Sequence, residues 1–288
     1  MPAAPRRPPP IPAPRRAPPR RRRWAWLGVL IGLLATLAIG AYVGLVVVRR
    51  VETGRWEMPD PADVVTIVRP AKPRGPSRVI FLEGAPVTLS PGDDDASRGL
   101  SSVLRANHPD GPVTLPGWKG SKASWKKLVT CVRKLFAPFD VEVTDQRPTT
   151  DDFILVAVGG KPADIGVEQK RITGLAPFNG GIIPRAVVFG FAGAMSHKVT
   201  TTCETIGMEV AHAYGLDHEY LCKDVMTYLA PCGAKSFVDK DVACGEGKKR
   251  ACEGGAATQN SYRRLLDALG PAPPPPPKPK ATRPAAKR

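Results

Sequence analysis

The chain has 288 residues and a formal net charge of +16, and the charge sits at its ends. The first 50 residues carry ten Arg and no acid, and residues 271–288 carry five bases and no acid. That leaves 27 bases against all 26 acids in between. A nearly neutral body without a zinc finger, an aromatic RNA-binding signature or a basic helix argues against a nucleic-acid partner.

Residues 1–23 are mostly Pro, Arg and Ala. They hold too little apolar surface to offset ordering entropy, so a disordered cytoplasmic tail is expected. Residues 24–48 then run from Trp24 to Val48 without a charged side chain. At about 1.5 Å of rise per residue, a helix of that length crosses a hydrocarbon core of about 30 Å with some tilt. Trp24 and Trp26 suit the interface, and Arg20 to Arg23 precede the run. The positive-inside bias therefore predicts a single-pass membrane protein with its N-terminus in the cytoplasm and its body outside. The competing reading is a cleaved signal peptide, with Ala38-Ile39-Gly40 as the cleavage site. The apolar run is longer than the roughly 7–15 residues of a signal core, which favours an uncleaved anchor.

Residues 49–76 mix Pro and charge and read as a stalk, and 77–270 form the ectodomain. All six cysteines lie in the ectodomain and no Cys-x-x-Cys pair occurs. An even count in an exported domain predicts disulfides, with the pairing left open. Val79 to Leu82 reads as a strand. Residues 84–118 are rich in Gly and Pro and hold Asp93, Asp94 and Asp95, three adjacent carboxylates of a kind that can bind calcium but that loops often carry. Residues 121–136 predict a helix, because Trp125, Leu128, Val129, Val132, Leu135 and Phe136 recur at three- and four-residue spacing. Strands are predicted at 141–144, 153–158 and 186–191, with a turn at Gly159-Gly160. Strands interspersed with helices place the domain in the α/β or α+β class.

The chemistry concentrates in 201–228. Thr201 and Glu204 have the spacing of a capping box, which predicts a helix start there. Positions 208 and 212 lie one turn apart on one face. Gly215 can end the helix at positive φ and let His218 return toward His212.

Met208-Glu209-x-x-His212-x-x-Gly215-x-x-His218 resembles the zinc motif H-E-x-x-H-x-x-G-x-x-H of the metzincin peptidases, with Met208 where the first histidine stands. Met226 within Asp-Val-Met-Thr-Tyr resembles the family's Met-turn, and Tyr228 and Glu219 match the astacins. The resemblance implies an α+β metzincin-like zincin domain, a mixed sheet plus an active-site helix; the apolar run 24–48 is expected to place a single transmembrane helix before it. It implies His212 and His218 as metal ligands, Glu209 as the general base and Tyr228 as the residue that contacts zinc or stabilises the oxyanion.

Met208 alters those implications. A thioether is a poor zinc ligand and suits copper(I) better, so zinc is expected to be weak or absent. The expected function is a degenerate peptidase that binds an extended peptide or protein in its cleft. One alternative is an active or weakly active zinc endopeptidase in which His197 or Cys203 supplies the third ligand. A second is a structural envelope spacer. His108 falls in no motif. The Ala, Pro and Arg content resembles that of a GC-rich bacterial genome, which would make the ectodomain periplasmic or surface-exposed.

Overall fold

The computed structural model describes residues 75–169 and 171–274, together with Leu37, Gly40 and Ala41. The expected cytoplasmic tail, nearly all of the membrane run and stalk, and residues 275–288 lie outside the described residues. Among the described residues no helix is long and apolar enough to cross a membrane.

A five-stranded mixed sheet forms the centre. Its strands are β1 (Val79–Glu83), β5 (Glu142–Thr144), β6 (Ile154–Val158), β7 (Gly174–Leu175) and β8 (Val187–Gly190), in the order β5-β1-β6-β8-β7. Four strands run parallel, and β7 at one edge is antiparallel to β8. β6 and β8 are buried along their whole length, as their unbroken apolar sequences require of strands covered on both faces.

Side chains alternate across a strand, so the same sheet feeds two cores. Ile80, Leu82, Ile154, Val156 and Val188 point to one face. There they meet α2 (Lys122–Phe136), α3 (Val199–Ala213) and α4 (Ser261–Leu269), which are held through Leu128, Val132, Phe136, Ile206 and Leu265. Phe81, Leu155, Ala157, Val187 and Phe189 point to the other face. That face is covered by α1 (Ser102–Asn107) and by a small sheet of β2 (Val87–Pro91), β3 (Leu100–Ser101) and β4 (Val113–Leu115). The class is therefore α+β, with helices and a second small sheet on opposite sides of the main sheet.

Four expectations change here. The Gly- and Pro-rich stretch 84–118 folds into β2, β3, α1 and β4. Its three aspartates do not converge: Asp93 pairs with Arg105, Asp94 accepts from the Ser102 hydroxyl, and Asp95 pairs with Arg185. Helix α3 starts at Val199, with Lys198 as N-cap and no side-chain cap bond, so Thr201 and Glu204 make no capping box. Left-handed backbone at Ser196 (φ 51°) and His197 (φ 55°) turns the chain into the helix two residues earlier. Helix α4 was not foreseen; Asn260 caps it by accepting from the Arg263 N–H, and it buries Leu265 and Leu269.

All six cysteines pair, as Cys131–Cys203, Cys222–Cys232 and Cys244–Cys252. The first ties α2 to α3 across 72 residues of sequence. The other two brace the irregular segment between α3 and α4. Replacing Cys131 and Cys203 together by Ala should lower unfolding free energy by up to about 4 kcal/mol, the loop-closure value for a crosslink of this span. Urea denaturation of the oxidised double variant measures it, and a loss below about 1 kcal/mol would mean that packing alone fixes the α2–α3 contact.

Candidate metal centre and cleft

Helix α3 is buried almost all round, from Thr202 to Ala213. It presents Met208, Glu209 and His212 to a cleft of about 810 Å³. The opposite wall is edge strand β7 with Ala176 behind it, and the far end is closed by His218, Thr227 and Tyr228. Gly215 takes φ +85° just after the helix, which only a residue without Cβ adopts readily. A side chain there would also strike the Gly181 backbone at 2.9 Å. The turn returns the chain so that His212 Nε2 and His218 Nε2 lie 2.9 Å apart.

The outer nitrogens fix what those inner nitrogens are. His212 Nδ1 donates to the Leu216 carbonyl at 2.7 Å, an atom that can only accept. His218 Nδ1 lies 2.8 Å from Glu246 Oε1. Hydrogen bonds from Arg250 hold the Glu246 carboxyl below the usual carboxylate range, so it too accepts. His212 therefore carries its proton on Nδ1 and turns its Nε2 lone pair toward His218 Nε2. Burial, aided by repulsion from His218, pushes the His212 pKa down to about 4 and keeps that lone pair free at neutral pH. At that distance the two Nε2 atoms share a proton or a cation between them.

Behind His218 stands a half-buried polar frame. Arg250 grips Asp217 with two bonds, Nη1–Oδ2 at 2.6 Å and Nη2–Oδ1 at 2.8 Å, and reaches Glu246 Oε1 at 2.7 Å. Burial alone would raise Asp217, yet Arg250 and the N–H groups of Glu253 and His218 hold it down. Sequence reading missed Asp217, Glu246 and Arg250. Only the short Cys244–Cys252 loop hints that 246 and 250 face one target.

The remaining site residues fall as follows. The Glu209 carboxyl lies against the β7 backbone, since a Cβ on Gly174 would meet its Oε1 at 2.6 Å. Burial pushes the Glu209 pKa up to about 8. Tyr228 stacks on His218 with ring centroids 4.3 Å apart and remains 57% exposed. Met226 is wholly buried beneath, with its N–H bonded to Asp224 and its carbonyl to the Glu219 N–H. Phe178 packs on His212 at 5.3 Å.

Glu219 turns away from the cleft. It is fully buried, accepts from Gln259 Nε2 through Oε1, and leaves Oε2 without a hydrogen-bond partner near Asp224. Neither proposed substitute ligand reaches the cleft. Cys203 is in its disulfide with Cys131, and His197 packs edge-on against Trp118 at 4.9 Å. His108 caps α1 through its backbone, away from the cleft.

The donor set fits zinc poorly. A catalytic zinc takes three protein ligands of N, O or thiolate type. His212 and His218 supply two. Asp217 lies near Cys244 and Cys252, but those sulfurs are joined in a disulfide and offer no thiolate. Asp217, His218 and Glu246 also cluster, yet Arg250 takes both carboxylates. At the third position stands Met208, buried on the α3 face one turn before His212.

The Glu219–Asp224 pair makes stability pH-dependent. Burial and the neighbouring Asp224 charge raise the Glu219 pKa to about 9. The folded chain keeps a proton that the unfolded chain releases near an ordinary value of about 4.3. Stability from this group is full below that value and drains as pH rises toward 9. Glu219→Gln, which mimics the protonated acid, should flatten urea midpoints between pH 5 and 9 and exceed the parent at pH 9. An unchanged slope would show that Glu219 is ionised when folded. Neither a protein-family model nor a curated protein matches the chain, so the cleft's own chemistry carries its interpretation.

Proposed function

We propose that the ectodomain is a metzincin-type peptidase scaffold that has lost its zinc chemistry and serves as an exported, membrane-anchored module binding an extended peptide. One observation carries this reading. Glu209, His212, His218 and Tyr228 share one cleft with an open sheet edge, and Met208 occupies the position of the missing histidine. The mixed sheet with α3 beneath it agrees with the scaffold that the motif implies. Three disulfides support an oxidising compartment outside the cytoplasm, periplasmic or at the cell surface.

The binding mode follows from β7. The Thr173 carbonyl is used by the Phe191 N–H on the β8 side. In an antiparallel pair the inward and outward backbone groups alternate, so Gly174 and Ala176 turn theirs toward the cleft. An extended peptide can add to that edge by main-chain hydrogen bonds, with side chains dropping toward Tyr228 and Lys235. A polypeptide that enters would lie across the imidazole pair.

An endopeptidase reading keeps one supporting observation: the base position, both imidazoles and the tyrosine are all retained in the cleft. Metal content and cleavage separate the two. The full-length chain in detergent should hold well under one zinc and leave casein and gelatin intact, while binding unfolded polypeptide in a filter or polarisation assay. Met208→His should raise zinc affinity roughly 10-fold or more, since a lost metal contact costs at least that much. Stoichiometric zinc with chelator-sensitive cleavage in the parent chain would reverse the assignment. Ala176→Pro, which removes an outward N–H, should weaken peptide binding while far-UV circular dichroism stays unchanged.

A further inference from the structure

We propose that Met208, His212 and His218 bind a single copper(I) ion. The inference rests on reading the cleft as a former zinc site, and it names the metal that the altered site selects. Three features of the site carry it.

The two imidazoles are set before any metal arrives. Their Nδ1–H groups are committed to the Leu216 carbonyl and to Glu246, and their Nε2 atoms meet at 2.9 Å. In a tetrahedral zinc site, ligand nitrogens about 2.0–2.1 Å from the metal stand roughly 3.3 Å apart, so an opening of a few tenths of an ångström admits an ion. Imidazole nitrogen serves copper as well as zinc, so this pair does not choose between them.

The third donor chooses. Met208 lies one helical turn before His212 on the same face and lines the same cleft. It is 7% exposed, so its thioether meets little water. Competing donors are withdrawn: the hard carboxylates Asp217 and Glu246 are gripped by Arg250, and every cysteine, the other soft donor, is in a disulfide. A soft, neutral sulfur with two neutral imidazoles suits a monovalent d10 ion, which accepts three ligands, and disfavours a hard or divalent one.

Glu209 is the remaining oxygen donor on this wall. Its carboxyl is packed against Gly174 of β7, on the strand side of the cleft. It would serve a divalent ion better than copper(I), so its removal distinguishes the two metals.

The test is an anaerobic competition between the full-length chain in detergent and the chromophoric copper(I) complex of bicinchoninate. Zinc is competed separately against a fluorescent chelator, and silver(I) serves as a redox-inert surrogate. The expected result is one copper(I) per chain, bound at least roughly 100-fold more tightly than zinc. X-ray absorption at the copper edge should show one sulfur and two nitrogen neighbours, with no free thiol detectable. Met208→Leu keeps the core volume and should lower copper(I) affinity roughly 10-fold or more, erase the sulfur neighbour and leave zinc affinity unchanged. Met208→His should reverse the metal preference. Glu209→Gln should leave copper(I) affinity unchanged.

Copper(I) affinity that survives Met208→Leu, or a metal shell of nitrogen and oxygen alone, would overturn the proposal. So would a loss of copper(I) in Glu209→Gln. Peptide binding is measured on the same samples. Its absence with copper(I) bound would remove the peptide-binding reading and leave the metal assignment standing, and the converse result would do the opposite.

Discussion

The site depends on two hydrogen bonds made on the side of each imidazole away from the cleft. The Leu216 carbonyl and the Glu246 carboxylate accept from Nδ1 of His212 and His218, and each bond turns the ring's Nε2 toward the cleft. Much of the surrounding architecture keeps these partners in place. Leu216 is fixed by the turn at Gly215, whose positive φ lets the chain reverse directly after α3. Glu246 is fixed by Arg250, which is fixed by Asp217, the residue adjacent to His218. The Cys244–Cys252 bridge closes that loop. A frame of this kind is expected where ring orientation matters. It is more than two buried histidines need merely to be tolerated.

In the proposed reading Met208 is a change of donor. It belongs to the hydrophobic core, and an aliphatic residue there would fill the same space without offering an electron pair. Methionine fills the same volume, flexes through three side-chain bonds and still offers an electron pair. The base Glu209, Tyr228 and the open β7 edge remain around it. Retaining a peptide groove requires only the edge and the cleft. Orienting His218 relies on the Arg250 frame, whereas His212 is oriented by the Leu216 carbonyl.

The sequence was most legible where one physical rule acts alone. The stripe in 121–136 marks α2 almost to the residue, and the apolar runs 153–158 and 186–191 mark β6 and β8, because buried parallel strands admit little else. The spacing of Glu209, His212, Gly215 and His218 placed the site, because a helix turn and a glycine reversal leave few geometries. Legibility failed where several weak rules compete. The Thr201–Glu204 spacing gave way to left-handed backbone at Ser196 and His197, which no local pattern announces. The small sheet in 84–118 is built from strands of two to five residues, too short to show a period. Helix α4 is nine residues long and owes its place to packing against the main core.

Glu219 shows how motif spacing can mislead. Its position directly after His218 suggested a part in the site, yet the chain twists it into the interior. There it meets Asp224, whose second carboxylate oxygen accepts from Ser261 of α4 and from the Val238 N–H. Asp224 also accepts the Met226 N–H, and Glu219 donates its own N–H to the Met226 carbonyl. The two acids thus clamp the turn that carries Met226 and, two residues on, Tyr228. Their burial places two acids beneath the site, where their bonds to the Met226 backbone and to α4 hold the floor on which the tyrosine and the second imidazole stand. Residues that look catalytic by spacing therefore divide into those that face the cleft and those that fix its shape. Only the return of the chain after Gly215 decides which is which.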